Sequence, residues 1–252
     1  MTNLFSLEGK VCVVTGANTG LGQAIAIAFA EAGANVVGVS RRDATETKEM
    51  VEKQGKKYLE VHADLSTTKE VSNILNSAIK EFGKVDVLVN NAGMIKRADA
   101  VDVTEEDYDQ VKNVNEKTVF FLSQAFAKYW MENKKPGKII NICSMLSYQG
   151  GIRVPAYTAS KSAVFGLTKA LCNEWAKFGI NVNGIAPGYM ATNNTQQIRE
   201  DKERNDAILE RIPQGRWGTP QDLKGAAIFL ASEASDYVNG FTVAVDGGWL
   251  AR

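Results

Sequence analysis

The sequence predicts a single α/β domain in which a doubly wound parallel sheet of about seven strands carries helices on both faces. Two observations carry this prediction. Short apolar runs rich in β-branched residues are continuous rather than alternating, as strands buried on both faces require. Segments with helical spacing separate these runs, and no Pro/Ser-rich linker or repeat interrupts the order over residues 1–252. Alternating strands and helices favour right-handed βαβ units and one domain.

The strands and helices are predicted from these patterns in chain order. The predicted strands are 11–15, 35–39, 58–61, 85–89, 138–143, 180–185 and 242–245. The clearest predicted helices are 21–32, 67–82, 104–131 and 156–177. Residues 11–30 carry no charge, but three glycines and two threonines break them into strand, loop and helix, so no membrane span is expected. Residues 188–221 show no clear period and predict either a mobile substrate lid or a solvated excursion.

The composition excludes several classes of function. Lys plus Arg is 29 and Asp plus Glu is 29, so no net positive charge favours nucleic acid as a partner. The only histidine is His62 and the three cysteines are far apart, which argues against a metal site or a redox pair. Unpaired thiols and an N-terminus without a signal-peptide pattern predict a cytoplasmic protein.

A glycine-rich loop, residues 15–22 (TGANTGLG), joins the first predicted strand to the first helix. Gly16 and Gly20 permit a tight turn and a close approach to a pyrophosphate, and Gly22 permits close packing of helix on strand. Asn18 and Leu21 complete the loop. The spacing differs from the common G-x-G-x-x-G, and a simple tight turn explains a lone glycine loop almost as well. Its place at the first strand-to-helix junction favours a dinucleotide site.

The end of the second predicted strand bears on the choice of dinucleotide. An acidic residue there normally binds the adenosine ribose and repels a 2′-phosphate. This chain has Ser40 followed by Arg41 and Arg42. A guanidinium can pair with the phosphate of NADP, or Arg41 can stack on adenine, which suits NAD equally well.

Tyr157 and Lys161 stand four residues apart on one face of a predicted helix. An ammonium beside a phenol stabilises phenolate, so we expect Lys161 to lower the pKa of Tyr157 and make it a general acid or base. Taken alone, Y-x-x-x-K is common on amphipathic helices. A functional interpretation therefore depends on the motifs around it.

Those motifs occur in a fixed order along the chain. They are Asn91-Ala92-Gly93 after the fourth predicted strand, Asn115, Ser144 after the fifth strand, and Pro187-Gly188 after the sixth. With the glycine loop and Y-x-x-x-K, they resemble the short-chain dehydrogenase/reductase family over essentially the whole chain.

The resemblance implies a Rossmann-type fold and a catalytic tetrad of Asn115, Ser144, Tyr157 and Lys161. Ser144 would donate to a substrate carbonyl, Tyr157 would transfer the proton, Lys161 would hold the nicotinamide ribose, and Asn115 would hold a water. It further implies contacts of the cofactor with Asp64, Leu65, Asn91, Ala92, Gly93, Pro187, Gly188 and Thr192. NAD(H) is the cofactor that it favours, with NADP(H) left open by Ser40. It also implies a homotetramer packed through 104–131, 156–177 and the last strand, whose apolar faces are costly to expose.

The segments around the expected substrate resemble family members that act on sugar acids in pectin and uronate breakdown. A polyhydroxy carboxylate needs a cation and several polar partners. Arg97 and Arg153 are the candidate cations, and the other candidate substrate residues are Met145, Gln149, Asn193, Asn194 and Trp249. Two alternatives stay open: a reductase for a different sugar acid or for a carrier-bound acyl group, and a non-catalytic dinucleotide-binding scaffold.

Overall fold

The computed structural model describes residues 3–252 and contains one seven-stranded parallel sheet, which confirms the predicted fold class. The order of strands across the sheet is β3-β2-β1-β4-β5-β6-β7. The strands are β1 Val11–Thr15, β2 Asn35–Ser40, β3 Tyr58–His62, β4 Val87–Asn90, β5 Gly137–Ile142, β6 Ile180–Pro187 and β7 Thr242–Val245. The strand order reverses between β1 and β4, and ligands bind at such a switch point beyond the carboxyl ends of the strands.

Helices cover both faces of the sheet. They are α1 Gly20–Glu31, α2 Thr45–Glu52, α3 Val71–Phe82, α4 Glu105–Lys112, α5 Thr118–Glu132, α6 Pro155–Trp175, α7 Gln196–Glu200, α8 Lys202–Arg211 and α9 Lys224–Ala231. One core packs Phe29 of α1 and Leu230 of α9 against the sheet. The other core packs Ile74, Phe126 and Leu171 on the opposite face. The inner strands are therefore buried on both sides, as their continuous apolar runs predicted, whereas the edge strands β3 and β7 keep partly exposed positions.

Four segments differ from the predicted elements, and one of them is α9, for which no helix was predicted. The segment 104–131 is two helices, α4 and α5, joined by a π-helical turn at Asn113–Lys117. The polar helix α2 has no predicted counterpart, because it buries only Thr47 and Val51. The segment 188–221, predicted to lack regular structure, contains α7 and α8. These helices escaped the pattern because α7 buries no residue and α8 buries only Ile208.

Two further findings concern membranes and metals. Among residues 3–252, no helix has the length and apolar character needed to cross a membrane. No group of three or more metal-ligating side chains was found in the same part of the chain.

Candidate active site

A cleft of about 1180 Å³ opens at the carboxyl ends of the strands. Its walls come from the loops after β1, β2, β3, β4, β5 and β6, from α8, and from Trp249 in the segment after β7. A volume of this size exceeds that of most small-molecule sites and accommodates a dinucleotide together with a small substrate.

The glycine loop forms the middle of this cleft. Gly16 has a φ of +67°, which an L side chain rarely adopts. A Cβ atom at position 22 would overlap the carbonyl oxygen of Gly16, so helix α1 can approach the loop only with glycine there. Gly20, with Asn18 and Leu21, also lines the cleft, and a Cβ at Gly20 would lie 3.9 Å from Cγ2 of Thr192.

The first turn of α1 is free to bind an anion. Its cap residue Thr19 makes no side-chain hydrogen bond to the helix, and no acidic residue lies in the first turn. The unsatisfied N–H groups and the helix dipole therefore favour a negatively charged ligand at this end.

A hydrogen-bond clamp ties this loop to the loop after β4. The Thr15 hydroxyl accepts from the backbone N–H groups of Asn91 and Ala92, each at 2.9 Å. The Asn91 amide in turn donates to the Thr15 carbonyl at 2.7 Å. Gly93, next in the chain, places its backbone near the catalytic candidates, since a Cβ there would lie 3.8 Å from Nζ of Lys161. The motif Asn91-Ala92-Gly93 thus has a structural role, because it fixes the loop after β4 against the loop after β1 at the floor of the cleft.

The β2 end of the cleft would hold the adenosine. Ser40 is buried, and its hydroxyl donates to the carbonyl of Arg42 at 2.6 Å. Arg41 is exposed beside Asp64. Hydrogen bonds from Ser66, and more weakly the charge of Arg41, hold the pKa of Asp64 below its usual value. Leu65 is buried, and its carbonyl accepts from Thr118 at 2.9 Å.

The opposite end would hold the nicotinamide. Pro187 ends β6, paired with Val245 of β7. A Cβ at Gly188 would lie 2.6 Å from Cα of Asp246, so this turn requires glycine for close approach of two backbones. Thr192 lines the cleft, and its carbonyl accepts from Arg199 at 3.2 Å.

Ser144, Tyr157 and Lys161 meet at this nicotinamide end. Ser144 follows β5 and is 7% exposed, while Tyr157 and Lys161 lie on α6, whose N-terminus begins at Pro155. All three side chains line the cleft. The buried Lys161 ammonium donates to the carbonyl of Ile142 at 2.6 Å, and lies 5.7 Å from the centre of the Tyr157 ring.

The structure corrects the expected electrostatics of Tyr157. Burial raises the pKa of Tyr157 above its ordinary value, while the Ser144 hydroxyl and the charge of Arg97 lower it by less. The Lys161 ammonium is engaged by the Ile142 carbonyl, and burial lowers the pKa of Lys161 from 10.5 to about 8. In this structure Tyr157 therefore holds its proton at neutral pH, and the expectation that its pKa is lowered is wrong here.

Asn115 owes its position to the π-helical turn between α4 and α5. It is fully buried, and its amide oxygen accepts from the N–H of Met94 at 2.9 Å. Its amide nitrogen donates to the Met94 carbonyl and to the Ser160 hydroxyl, at 2.9 and 3.1 Å. The Asn115 side chain thus joins the loop after β4 to helix α6. Single π turns of this kind are frequent at functional sites.

The candidate substrate residues divide into two groups. Those that line the cleft are Arg97, Met145, Gln149, Asn193, Asn194 and Trp249. Arg153 does not line it, so its placement in the pocket was wrong. Its backbone has a φ of +63°, and its side chain points to Asp99, with a separation of 3.0 Å from Nε to Oδ1. Arg153 therefore forms an exposed surface ion pair.

Sequence reasoning missed two arginines that do reach the cleft, Arg204 and Arg211 of α8. The Arg211 guanidinium lies 4.0 Å from the centre of the Trp249 ring and donates to the Gln149 side chain at 3.2 Å. Tyr189 packs edge-on against Trp249 with ring centres 4.8 Å apart. Residues seven apart on a helix lie on the same face, so this spacing could have indicated that both arginines point the same way. That signal was missed because α8 was not predicted as a helix.

These features fit a dinucleotide cofactor. The close approach at Gly22, the uncapped N-terminus of α1 and the length of the cleft supply a pyrophosphate site between an adenosine end and a nicotinamide end. When bound, a nicotinamide dinucleotide supplies hydride chemistry. The chain itself supplies a phenol, a hydroxyl and an ammonium beside that end.

Comparison with known proteins places the chain among dehydrogenases. A family model described as enoyl-(acyl carrier protein) reductase matches residues 16–250. A 2-dehydro-3-deoxy-D-gluconate 5-dehydrogenase from Dickeya dadantii (strain 3937) is 59% identical over 250 residues, 99% of each chain.

Two solved structures have the same fold. The structure of a proposed 2-deoxy-D-gluconate 3-dehydrogenase from Agrobacterium tumefaciens with bound NADP has a TM-score of 0.95 and 54% identity, covering 100% of each chain. That of a gluconate 5-dehydrogenase from Burkholderia cenocepacia J2315 with NADP and tartrate has a TM-score of 0.94 and 37% identity, covering 99% of this chain and 98% of that one. With its Rossmann-type sheet, glycine loop and Tyr157–Lys161 pair, the chain belongs to the short-chain dehydrogenase/reductase family.

Proposed function

We propose that this protein is a 2-dehydro-3-deoxy-D-gluconate 5-dehydrogenase, which interconverts a secondary alcohol and a ketone on a sugar acid with NAD(P)(H). The observation that carries the proposal is the meeting of Tyr157, Ser144 and Lys161 at one end of a dinucleotide-sized cleft. The substrate side of this end carries arginine and amide side chains, which suit a polyhydroxy carboxylate better than an apolar chain. The relative from Dickeya dadantii, similar over nearly its full length, has this activity in its name.

The side chains divide the chemistry among them. In ketone reduction, the Ser144 hydroxyl donates a hydrogen bond to the carbonyl oxygen, and Tyr157 gives its proton to that oxygen as negative charge develops there. In alcohol oxidation, Tyr157 takes the proton back. Lys161 would hold the cofactor ribose, and its ammonium places a positive charge 5.7 Å from the centre of the Tyr157 ring. Asn115 positions these groups by tying helix α6 to the loop after β4.

A turnover screen tests the proposed function. The purified enzyme is assayed on a panel of sugar acids and their keto forms with NADH and NADPH in parallel, and with an acyl thioester ketone as a further substrate. We expect the largest kcat/KM on a 3-deoxy-2-keto sugar acid. Preference for 5-ketogluconate would indicate a gluconate 5-dehydrogenase, preference for the thioester a 3-oxoacyl carrier-protein reductase, and no turnover on any substrate a dinucleotide-binding scaffold.

We infer that the enzyme accepts both NAD(H) and NADP(H). Ser40 is neutral and ends β2 where a carboxylate would repel a 2′-phosphate, and the exposed Arg41 stands ready to pair with one. Because Ser40 carries no charge, it also permits the adenosine ribose of NAD(H) to bind. NAD(H) is the cofactor that the family resemblance favours.

Ser40→Asp is expected to lower kcat/KM for NADPH about 10-fold or more relative to NADH, because it places like charges beside each other. Ser40→Asn is the matched control, since it has the same shape without the charge. The ratio of kcat/KM for the two cofactors is the measurement. If this ratio is the same in both variants, the end of β2 is not the ribose site.

We also propose that 188–221 acts as a substrate lid within a single catalytic domain. Helices α7 and α8 lie in this segment and fully bury a single residue between them, Ile208. Ile208 and Ile198 pack in one small apolar cluster with Met145 and Trp249, separate from the two large cores on the sheet, so movement of the two helices would disturb only this cluster. The same segment brings Arg204 and Arg211 to the cleft, so a bound anionic substrate could hold the segment closed through these two arginines.

Two further proposals concern assembly and location. We propose a homotetramer, supported by exposed aromatic residues at Tyr108 on α4, Phe121 on α5 and Phe241 beside the edge strand β7. The molar mass from light scattering at micromolar concentration tests it.

We propose a cytoplasmic location, because free thiols at Cys12, Cys143 and Cys172 suit a reducing compartment.

A further inference from the structure

The substrate half of the cleft carries an excess of positive charge. Three arginines line it: Arg97 from the loop after β4, and Arg204 and Arg211 from α8. The acidic side chains that line the cleft are Glu31, Glu46 and Asp64, and these belong to α1, α2 and the loop after β3. None of them comes from the elements that hold Tyr157 or from α8.

The three arginines differ in how they are engaged. Arg211 is occupied, since it stacks on Trp249 and donates to Gln149. Arg97 donates to the carbonyl of Asn194 at 3.0 Å, which fixes its position and leaves its other N–H groups available. Arg204 makes no side-chain hydrogen bond to residues 3–252. Neither Arg97 nor Arg204 forms an ion pair within that range.

Arg97 and Arg204 also interact with each other and with the catalytic candidate. Desolvation in the cleft and the charge of Arg204 lower the pKa of Arg97, while Tyr157 raises it. The charge of Arg97 lowers the pKa of Tyr157 in return. Arg97 and Arg204 thus line the same cleft as the reacting hydroxyl of Tyr157. Two like charges held together without an anion are relieved by a ligand that brings one.

We propose that Arg204, carried over the cleft by α8, joins Arg97 in binding the carboxylate of the substrate. This inference deepens the proposed sugar-acid function and depends on it. Two guanidinium forks, one from the loop after β4 and one from α8, give a carboxylate bidentate, charge-assisted partners, which a single arginine or a lysine does not match. Arg97 already bonds to Asn194, in the loop before α7, so the carboxylate would add a second link between the loop after β4 and the segment that carries α8. A neutral ketone offers no such link.

The test compares Arg204→Gln with Lys202→Gln. Both residues are exposed and lie on α8, so each variant removes one positive charge from that helix, but only Arg204 lines the cleft. For Arg204→Gln we expect kcat/KM on the sugar acid to fall about 10- to 100-fold, mostly through KM, as for loss of a hydrogen bond to a charged group. On a neutral hydroxyketone without a carboxylate we expect less than 3-fold. Arg204→Lys should recover part of the loss, and Lys202→Gln should match the wild type.

A second measurement separates this inference from the proposed function. Binding of D-gluconate to the enzyme with NADP⁺ is measured by calorimetry in the same variants, with the cofactor affinity determined separately. Weaker gluconate binding in Arg204→Gln alone, with unchanged cofactor affinity, supports the inference even if the turnover screen overturns the proposed substrate. Equal losses on charged and neutral substrates, weaker cofactor binding, or equal behaviour of Arg204→Gln and Lys202→Gln would overturn it.

Discussion

Tyr157→Phe is expected to lower kcat by about 100-fold or more, because it removes the phenolic proton that the proposed mechanism transfers to the substrate oxygen. The substitution removes one oxygen atom and leaves the aromatic ring of this half-buried residue in place, so little packing is lost. Dinucleotide affinity, measured by fluorescence titration, should remain close to that of the wild type. Steady-state kinetics in both directions provide the main measurement.

Tyr148→Phe is the matched control for this prediction. It also removes one phenolic hydroxyl, which donates to the carbonyl of Thr242 at 3.4 Å and does not line the cleft. We expect near wild-type kcat for this variant. A Tyr157→Phe enzyme with the same kcat as Tyr148→Phe would show that Tyr157 does not transfer the proton.

The raised pKa of Tyr157 also predicts opposite pH profiles for the two directions. Burial keeps the phenol protonated at neutral pH. Ketone reduction needs this protonated form and should fall as the pH rises through the pKa, whereas alcohol oxidation needs the deprotonated form and should rise. Profiles that moved in the same direction would indicate that another group controls the rate.

Lys161→Met is expected to lower kcat/KM by about 100-fold or more and to weaken dinucleotide binding, since it removes the ammonium beside the ribose and the phenol. Lys169→Met is the control, because Lys169 is exposed on the same helix and does not line the cleft. Kinetics and cofactor titration on both variants test this. If Lys161→Met retained wild-type cofactor affinity, Lys161 would not hold the ribose.

The same variant should change how stability depends on pH. Burial lowers the pKa of Lys161 from 10.5 to about 8, so between these values the unfolded chain binds more protons than the folded one. The folded state is therefore stabilised as the pH rises from about 8 to about 10.5, and this contribution is lost on returning to pH 8. Chemical denaturation of wild type and Lys161→Met should show a wild-type free energy of unfolding that gains relative to the variant across this window. Parallel curves would contradict the assigned burial.

The sequence predicted those parts of the fold in which a physical requirement leaves a local trace. Buried strands need continuous apolar runs, so the strand predictions lie close to the observed strands. Gly16 and Gly22 had to be glycine for backbone reasons, and the pattern exposed them. The catalytic candidates were found through a resemblance, because a tyrosine and a lysine four residues apart are common on helices.

Features without such a trace escaped prediction. The direction of Arg153 depends on a left-handed backbone and on Asp99, neither of which a run of letters displays. Arg204 lies on a polar helix that buries one residue, so neither the helix nor its inward side chain was visible. The pKa of Tyr157 is raised by burial, which outweighs the opposite effect of the Arg97 charge. Burial of this kind can be judged only from the three-dimensional structure.

The π-helical turn at Asn113–Lys117 sets the rotation of helix α5 about its axis relative to helix α4. The sequence pattern predicted these two helices as one. A single residue inserted into an α-helix rotates everything after it by about 100° relative to everything before it. Here Val111 before the turn and Leu122 and Phe126 after it still all face the interior, with Asn115 turned toward α6 between them. Deleting one residue from this turn would give a more regular helix but would move either the core residues or Asn115 out of register. The length of this segment therefore decides which side chains face the core and which face α6, so it matters to the site together with the identity of Asn115.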